Sequence, residues 1–278
     1  MSHCVARIIV NCLGVTAFGM LGARAAAIQS GPIDPPPTLQ DYQALAKLPD
    51  LSGVWTPDVG DQARQETQNM PPWTPKIAKQ IDHLIAEEEA GRPFPIIDHC
   101  FPTGMPSYML ITHNAFELLV TPGRITLLGE GDGNRLRRIY TDGRPHPADP
   151  DPSFHGHSIG RWQGGTLVVD TVAVFPQSYL AISESVGVPN NGGMHIVEHL
   201  HLKGANTLLD DLEITAPKIL SKTWKTTRIY YRTREQKFDI VEGVCAQGYF
   251  TEALDESGNA IFKPAQFRNG VPVGSESK

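Results

Sequence analysis

Short apolar segments bounded by turn residues fill most of this chain after residue 115. Residues 116–121 and 124–129 flank a Pro-Gly pair, and residues 195–202 and 207–215 flank a Lys-Gly-Ala-Asn turn. Alternation of polar and apolar residues within these segments has the period of a strand with one buried face. The pattern predicts a mainly β fold: a single antiparallel, barrel-like (calycin- or lipocalin-like) or sandwich domain. The other predicted strands are 51–55, 136–141, 158–162, 166–174, 223–232 and 238–250.

The first 27 residues have the layout of an export signal. Arg7 precedes a mostly apolar stretch, residues 8–23, and three alanines at 25–27 suit signal peptidase cleavage. We expect a periplasmic or secreted protein without a stable membrane span after processing; the alternative is a buried N-terminal helix. The predicted divisions are 1–27 signal peptide, 28–50 Pro-rich linker with a short helix, 51–265 β-rich domain and 266–278 flexible tail.

Two helices are predicted ahead of the strands. Thr38 is a candidate N-cap for a short helix over 38–46. The stronger helix spans 75–90, where Pro75 fits the first turn and Ile77 begins an apolar stripe at helical spacing. Residues 58–72 between them read as an irregular polar loop. These helices would pack on the β domain without carrying chemistry.

Charge and cysteine content limit the partners and the compartment. A formal net charge of -6 gives a nucleic-acid partner no electrostatic basis. Removal of the signal leaves Cys100 and Cys245, which we expect to form a disulfide in an oxidising compartment. The alternative is two buried free thiols.

Four charged residues stand in otherwise apolar rows of predicted strands. They are Glu198, Asp210, Arg228 and, in the row of Val168 and Val172, Asp170. A buried charge must be paired or must shift its pKa. The rows therefore predict either an internal ion network, in which Arg228 satisfies Glu198 or Asp210, or the polar floor of a ligand cavity.

The stretch from 138 to 171 holds the densest set of chemically capable side chains. His157, next to a glycine, is the candidate general acid or base, with Asp170 or Asp142 as its orienting carboxylate. The alternative is a histidine that only bonds a loop carbonyl. Predicted substrate-binding residues, some of them electrophilic donors, are Tyr140, Arg144, His146, Arg161, Glu198 and Arg228.

Metal binding is an open alternative to this acid–base site. Two His-x-His pairs each place two imidazoles on one predicted strand face, which suits zinc. The candidate ligands are His155, His157, His195, His199 and His201. However, His199 and His201 fall on the polar face of their strand, so our primary expectation includes no metal and no other cofactor.

Several of these motifs resemble a large family of exported bacterial β-rich proteins. The most specific are the blocks 138–147 (RIYTDGRPHP), 156–162 (GHSIGRW) and 166–171 (TLVVDT), and the resemblance covers roughly residues 50–250. It implies export and a Cys100–Cys245 disulfide, and no particular reaction. Arginine is usual in that family near positions 199 and 201, so the histidines there look particular to this chain.

Together these patterns predict an exported enzyme acting on a small, partly hydrophobic organic molecule. The chemistry would be cofactor-independent His/Asp acid–base catalysis in a lyase, isomerase or hydrolase. One alternative is a non-catalytic barrel that binds a small ligand. Another is a zinc-dependent hydrolase. The oligomeric state cannot be read from the sequence.

Overall fold

The structure, a computed structural model, describes residues 36–93, 96, 102–235, 238–243, 250–254, 260–264, 267–268 and 271–272. The predicted signal peptide, residues 28–35 of the linker and the Cys100–Cys245 disulfide lie outside these residues and stay predictions. The helices are α1 (Leu39–Leu45), α2 (Val59–Thr67), α3 (Pro75–Glu89), α4 (Ser107–Ile111) and α5 (Gly131–Asn134).

Fifteen strands lie in the described residues. In chain order they are β1 (Gly53–Pro57), β2 (Phe116–Thr121), β3 (Arg124–Gly129), β4 (Leu136–Tyr140), β5 (His157–Gln163), β6 (Thr166–Val172), β7 (Tyr179–Ala181), β8 (Gly187–Pro189), β9 (His195–Leu202), β10 (Thr207–Thr215), β11 (Trp224–Thr233), β12 (Phe250–Leu254), β13 (Ala260–Pro264), β14 (Phe267–Arg268) and β15 (Val271–Pro272).

Nine of these strands close into a barrel, in the order β1-β11-β10-β9-β6-β5-β4-β3-β2. The ring closes because β1 pairs with both β11 and β2. The prediction of a mainly β, barrel-like domain is therefore confirmed, and the strands form a closed ring rather than a two-sheet sandwich. Hairpins at the Pro-Gly, Gly-Gly and Lys-Gly-Ala-Asn turns join neighbouring strands as the sequence indicates.

The pairing of β4 with β5 breaks the antiparallel pattern that we predicted. These strands run parallel, and only two residue pairs join them, Ile139 with Ser158 and Tyr140 with Ile159. Parallel neighbours cannot be joined by a tight hairpin and need a long crossover connection. Residues 141–156, the acidic Pro-rich stretch, supply that connection. The parallel pairing of β4 and β5 therefore accounts for the length of this loop.

Side-chain direction in β6 is opposite to our expectation for Asp170. Leu167, Val169 and Thr171 point into the barrel, whereas Asp170 lies on the outer face. Both rows of β6 contain valine, so alternation alone does not show which row faces the barrel interior. Pairing with β9 decides it, because Val169 lies opposite Glu198, whose row is the buried one.

The N-terminal helices are partly as predicted. α1 begins after Thr38 with a reciprocal capping box to Asp41, and α3 buries Ile77 and Ile81. The loop predicted over 58–72 is wrong for residues 59–67, which form α2. Asp58 is the N-cap of this helix, and its side chain accepts a hydrogen bond from the Asp61 backbone N–H. Its buried residues are polar, so no apolar stripe marks it in the sequence.

α4, which the sequence did not indicate, is buried along its whole length. The Tyr230 hydroxyl of β11 donates to the Met109 carbonyl at 2.7 Å, and Gln65 of α2 donates to the Leu110 carbonyl at 3.0 Å. These bonds fix α4 against the inner face of the barrel and use carbonyls that a helix end leaves unpaired.

Beyond β11 the predicted strand over 238–250 is wrong for residues 238–243, which are irregular. Two small antiparallel pairs follow, β12 with β13 and β14 with β15. The second pair falls within the predicted tail.

Candidate functional site

A buried ion pair crosses the barrel interior. Arg137 of β4 donates to both carboxylate oxygens of Glu198, one of them at 2.8 Å, and also to Ser158 and Thr171. The Arg137 side chain is 1% exposed and that of Glu198 is fully buried. A desolvated pair of this kind persists only when its remaining polar atoms are also satisfied, and here two hydroxyls complete the set.

A second interior group surrounds Arg228. Its guanidinium donates to the Asp61 carboxylate at 2.9 Å and to Gln65 and Thr226. The predicted pairing of Arg228 with Glu198 or Asp210 is therefore wrong. α2 brings an unforeseen partner, Asp61, into the barrel end, and Arg137 is already bonded to Glu198.

Asp210 is left without a hydrogen bond to either carboxylate oxygen in the described part of the chain. Burial, and then the nearby charge of Glu198, raise the pKa of Asp210 well above its ordinary value. Among the described residues, the interior holds two arginines, Arg137 and Arg228, against the carboxylates of Glu198 and Asp61. Charge therefore balances when Asp210 keeps its proton.

A cleft of about 540 Å³ opens where β4 and β5 separate, before their two paired positions. Its floor includes Arg137 and Ser158, so the cleft reaches the interior ion pair. Three arginines and two histidines line it, and no aspartate or glutamate does among the described residues. The lining residues are Pro102, Asn134, Arg135, Leu136, Arg137, Arg138, Tyr140, Ser153, Phe154, His155, Gly156, His157 and Ser158.

Gly156 separates two histidines that lie in different surroundings. Its φ of 66° is in the left-handed region, and a Cβ there would lie 2.6 Å from the Val172 carbonyl oxygen. The backbone can therefore approach β6 closely only with glycine at this position. The turn leaves the ring nitrogens of His155 buried, while His157 opens β5 on the outer face.

The rim of the cleft carries an aromatic and cationic stack. The rings of Tyr140 and His157 are stacked with centroids 5.5 Å apart, and the Arg144 guanidinium lies 4.3 Å from the Tyr140 centroid. Asp142 accepts from Arg144 Nε at 2.8 Å. That hydrogen bond, opposed by partial burial, lowers the pKa of Asp142. Asp142 thus orients Arg144 and not His157.

A chain of hydrogen bonds links His157 to Asp170 through His146. The Nδ1 atoms of His146 and His157 are 2.7 Å apart, and His146 Nε2 is 3.4 Å from Asp170 Oδ1. His195 Nε2 is 2.8 Å from the same oxygen. The structure therefore brings His157 and Asp170 into one cluster, but indirectly, with His146 between them.

The tautomers of His146 and His157 follow from the Asp170 carboxylate. Ionised Asp170 can only accept, so His146 donates from Nε2. A neutral His146 then accepts at Nδ1, and His157 donates from Nδ1 and keeps a lone pair on Nε2. Burial lowers the pKa of His157 most; the charge that His146 carries when it is protonated, and then the charge of Arg144, lower that pKa further. A neutral His157 with one free acceptor nitrogen has the form of a general base.

The five candidate zinc ligands are not gathered into one site. His155 lies in the cleft, His157 and His195 contact the Asp170 cluster, and the other two are on the outer face of β9. Within the described ranges no set of three or more His, Cys, Asp or Glu side chains is arranged to hold a metal ion.

The structure removes one arginine from the predicted site and adds three others. Arg161, a predicted substrate contact, is exposed on β5 and is not part of the cleft lining. Arg137 was missed, although it shares a strand face with Ile139, which is the same signal that identified Glu198. Arg135 and Arg138 carried no distinctive sequence signal.

No protein-family model and no curated protein sequence matches this chain. Among solved structures, the chain is similar to a mutant of the fluorescent protein UnaG, with a TM-score of 0.32 and 13% identity. The alignment covers 66% of this chain and 97% of that one. A similarity of this size is too weak to argue from, so the closed barrel rests on strand pairing alone. Among the described residues, no helix is long and apolar enough to cross a membrane.

Proposed function

We propose that this protein binds a small amphipathic organic anion in the cleft between β4 and β5. The observation that carries the proposal is the lining of the cleft, which combines three arginines with apolar and aromatic groups and includes no described carboxylate. A volume of about 540 Å³ suits a small organic molecule. The predicted alternative of a ligand-binding barrel is the function that this geometry supports best.

The charges at the cleft mouth support an anionic ligand. Arg135 and Arg138 are exposed, and neither forms an ion pair with any residue that the structure describes. Guanidinium groups free of a local carboxylate bind carboxylates or phosphates through two parallel hydrogen bonds. Glu198 neutralises Arg137 at the floor, so the net positive charge of the cleft comes from Arg135 and Arg138.

The apolar part of the lining supports an organic rather than inorganic anion. Leu136 is 47% exposed beside the cleft, and Phe154 and Tyr140 contribute aromatic surface. Burying apolar ligand surface against these side chains contributes about 25 cal/mol per Å². We also propose, from the export signal and the family resemblance, that binding takes place outside the cytoplasm.

Anilinonaphthalene sulfonate, a fluorescent amphipathic anion, tests the binding proposal. We expect saturable binding by the untagged protein, and about a tenfold weaker affinity in the Arg135→Ala/Arg138→Ala variant because two charge-assisted contacts are lost. Arg161→Ala is the matched control, since it removes an exposed arginine outside the cleft. Equal affinity in all three proteins, or no saturable binding, would reject the proposal.

A second candidate function is catalysis at the same cleft. The observation that favours it is the chain from His157 through His146 to Asp170, with His157 on the cleft lining. Nε2 of neutral His157 would take a proton from the bound molecule, while His146 shares the positive charge and Asp170 stabilises it. Arg144 and Tyr140 stand beside His157 to stabilise a developing anion.

Deuterium uptake distinguishes catalysis from binding alone. Molecules that copurify with the untagged protein are identified by native mass spectrometry, and the complex is then incubated in deuterated water. Proton abstraction for elimination or isomerisation places deuterium on carbon in the ligand, and hydrolysis is followed with para-nitrophenyl acetate. In His157→Gln we expect either rate to fall by roughly 10²–10⁴-fold. Absence of both activities in the wild type would leave the binding function standing and exclude this candidate.

A further inference from the structure

His155 lines the cleft, and both of its ring nitrogens are buried without a hydrogen-bond partner among the described residues. Both ring nitrogens are inaccessible to solvent and lack a hydrogen bond to any residue that the structure describes. Nearly all buried polar atoms in folded proteins are hydrogen-bonded, so an orphaned pair on one side chain needs an explanation. The position of His155 in the cleft lining supplies one.

The surroundings of His155 are set by three neighbours. Tyr108 of α4 packs edge-on against the imidazole with ring centroids 5.5 Å apart. Burial, and then the charges of Arg137 and Arg135, lower the pKa of His155 to about 4. At neutral pH the ring is therefore uncharged, with one N–H donor and one acceptor nitrogen.

We propose that the His155 imidazole turns towards the cleft and recognises its ligand through an unpaired ring nitrogen, and that the ligand is a hydroxylated organic acid. The inference rests on the proposed binding function and narrows its ligand class. The carboxylate of such a ligand matches the arginines of the cleft. Its hydroxyl group both donates and accepts, so it can pair with a neutral imidazole in either tautomer.

A purely structural histidine would be arranged differently. Histidines that serve packing bond a carbonyl or carboxylate through one nitrogen, as His201 does with the His199 carbonyl on β9 at 3.2 Å. His155 has no such bond within the described residues, although the Ser153 and Ser158 hydroxyls lie in the same cleft lining. Its hydrogen-bonding capacity is thus left for a bound molecule.

Benzoate and its ortho, meta and para hydroxylated derivatives test the inference by isothermal titration calorimetry at neutral pH. The four share a ring and a carboxylate and differ only in the hydroxyl. We expect at least one hydroxybenzoate to bind about tenfold more tightly than benzoate, the effect of one well-formed hydrogen bond to an otherwise unpaired buried group. In His155→Phe, which keeps an aromatic ring against Tyr108, this preference should vanish while benzoate affinity is retained.

A preference that persists in His155→Phe, or is missing in the wild type, overturns the inference. So does failure of all four benzoates to bind. The binding function itself is judged separately by anilinonaphthalene sulfonate and the Arg135/Arg138 variant, so the two failures can be told apart.

Nitrogen-15 NMR of the wild-type imidazoles gives a second measurement that does not depend on the variant folding. The preferred hydroxybenzoate should shift the His155 ring nitrogens more than benzoate does. His199, on the outer face of β9, is the internal reference. Unchanged His155 nitrogen shifts at saturating ligand overturn the inference.

Discussion

Arg137 and Glu198 are joined inside the barrel by two hydrogen bonds, with 1% and 0% of their side chains exposed. Glu198→Gln would leave the guanidinium buried without its counter-charge. We expect the free energy of unfolding, measured by urea denaturation, to fall by about 3–5 kcal/mol. Replacing both residues by methionine should recover much of this loss, because no unpaired charge then remains.

The exposed pair of Lys225 and Glu213 is the control for that prediction. Its atoms are 2.6 Å apart, but the side chains are 69% and 41% exposed. Glu213→Gln should change the unfolding free energy by no more than roughly 1 kcal/mol. Comparable losses in the two Glu→Gln variants would mean that burial does not govern the stability of the Arg137–Glu198 pair.

Asp210→Asn should stabilise the protein at neutral and alkaline pH. The folded-state pKa of Asp210 lies above the ordinary value of 3.8, so the folded state holds the proton more tightly than the unfolded state. Unfolding free energy then falls as the pH rises from about 4 towards the folded pKa. An amide mimics the protonated carboxyl and removes this fall.

Urea denaturation at acidic and alkaline pH checks the Asp210 prediction, with Asp211→Asn as the control on the outer face of β10. The gain of Asp210→Asn over the wild type should grow with pH. A gain of the same size at both pH values would show that ionisation of Asp210 is not involved.

His155 should make stability depend on pH in the opposite direction. Its folded pKa of about 4 is below the ordinary value of 6.5, so between these values the unfolded state binds the proton more tightly. The corresponding stability is present above about 6.5 and is lost as the pH falls towards 4, by roughly 3 kcal/mol at most. His155→Phe should flatten this part of the profile. An unchanged profile would place the titration elsewhere.

Removing His146 should raise the pKa of His157. Burial lowers that pKa most, and the charge of His146 lowers it further. In His146→Ala the His157 ring becomes more exposed and loses the neighbouring imidazole. The pKa of His157 measured by NMR titration should therefore move towards the ordinary value for histidine. His195→Ala, which removes the other contact of Asp170, should leave the His157 titration nearly unchanged. Equal shifts in both variants would contradict the direct His146–His157 interaction.

The predicted Cys100–Cys245 disulfide is testable by mass. Protein purified from an oxidising compartment should resist alkylation until it is reduced, and should then take up two alkyl groups. A Cys100→Ser variant should expose one reactive thiol without reduction. Two reactive thiols in the unreduced wild type would contradict the pairing.

The barrel and its interior charges were largely predictable, because strand periodicity is a local property of the sequence. Glu198, Asp210 and Arg228 were assigned to inner rows, and all three are buried. Their partners were not predictable, since Asp61 comes from a helix with no apolar stripe and Arg137 from a strand three positions away from that of Glu198 around the ring.

The sequence predicted which residues surround His157 better than it predicted their arrangement. Tyr140, Arg144, His146, His157 and Asp170 do lie together. Their location on the outer face could not be read from β6, where both rows contain valines. The His157–His146 contact depends on the path of residues 141–156, which local sequence patterns do not define.

The two-pair junction of β4 with β5 also makes the barrel wall unequal in stiffness. The other neighbouring strands share three to eight paired positions, so widening the ring between them would break several backbone hydrogen bonds. Between β4 and β5 few such bonds oppose separation. The wall is therefore most compliant at the mouth of the cleft, where adapting to the proposed ligands would disturb the fewest backbone contacts.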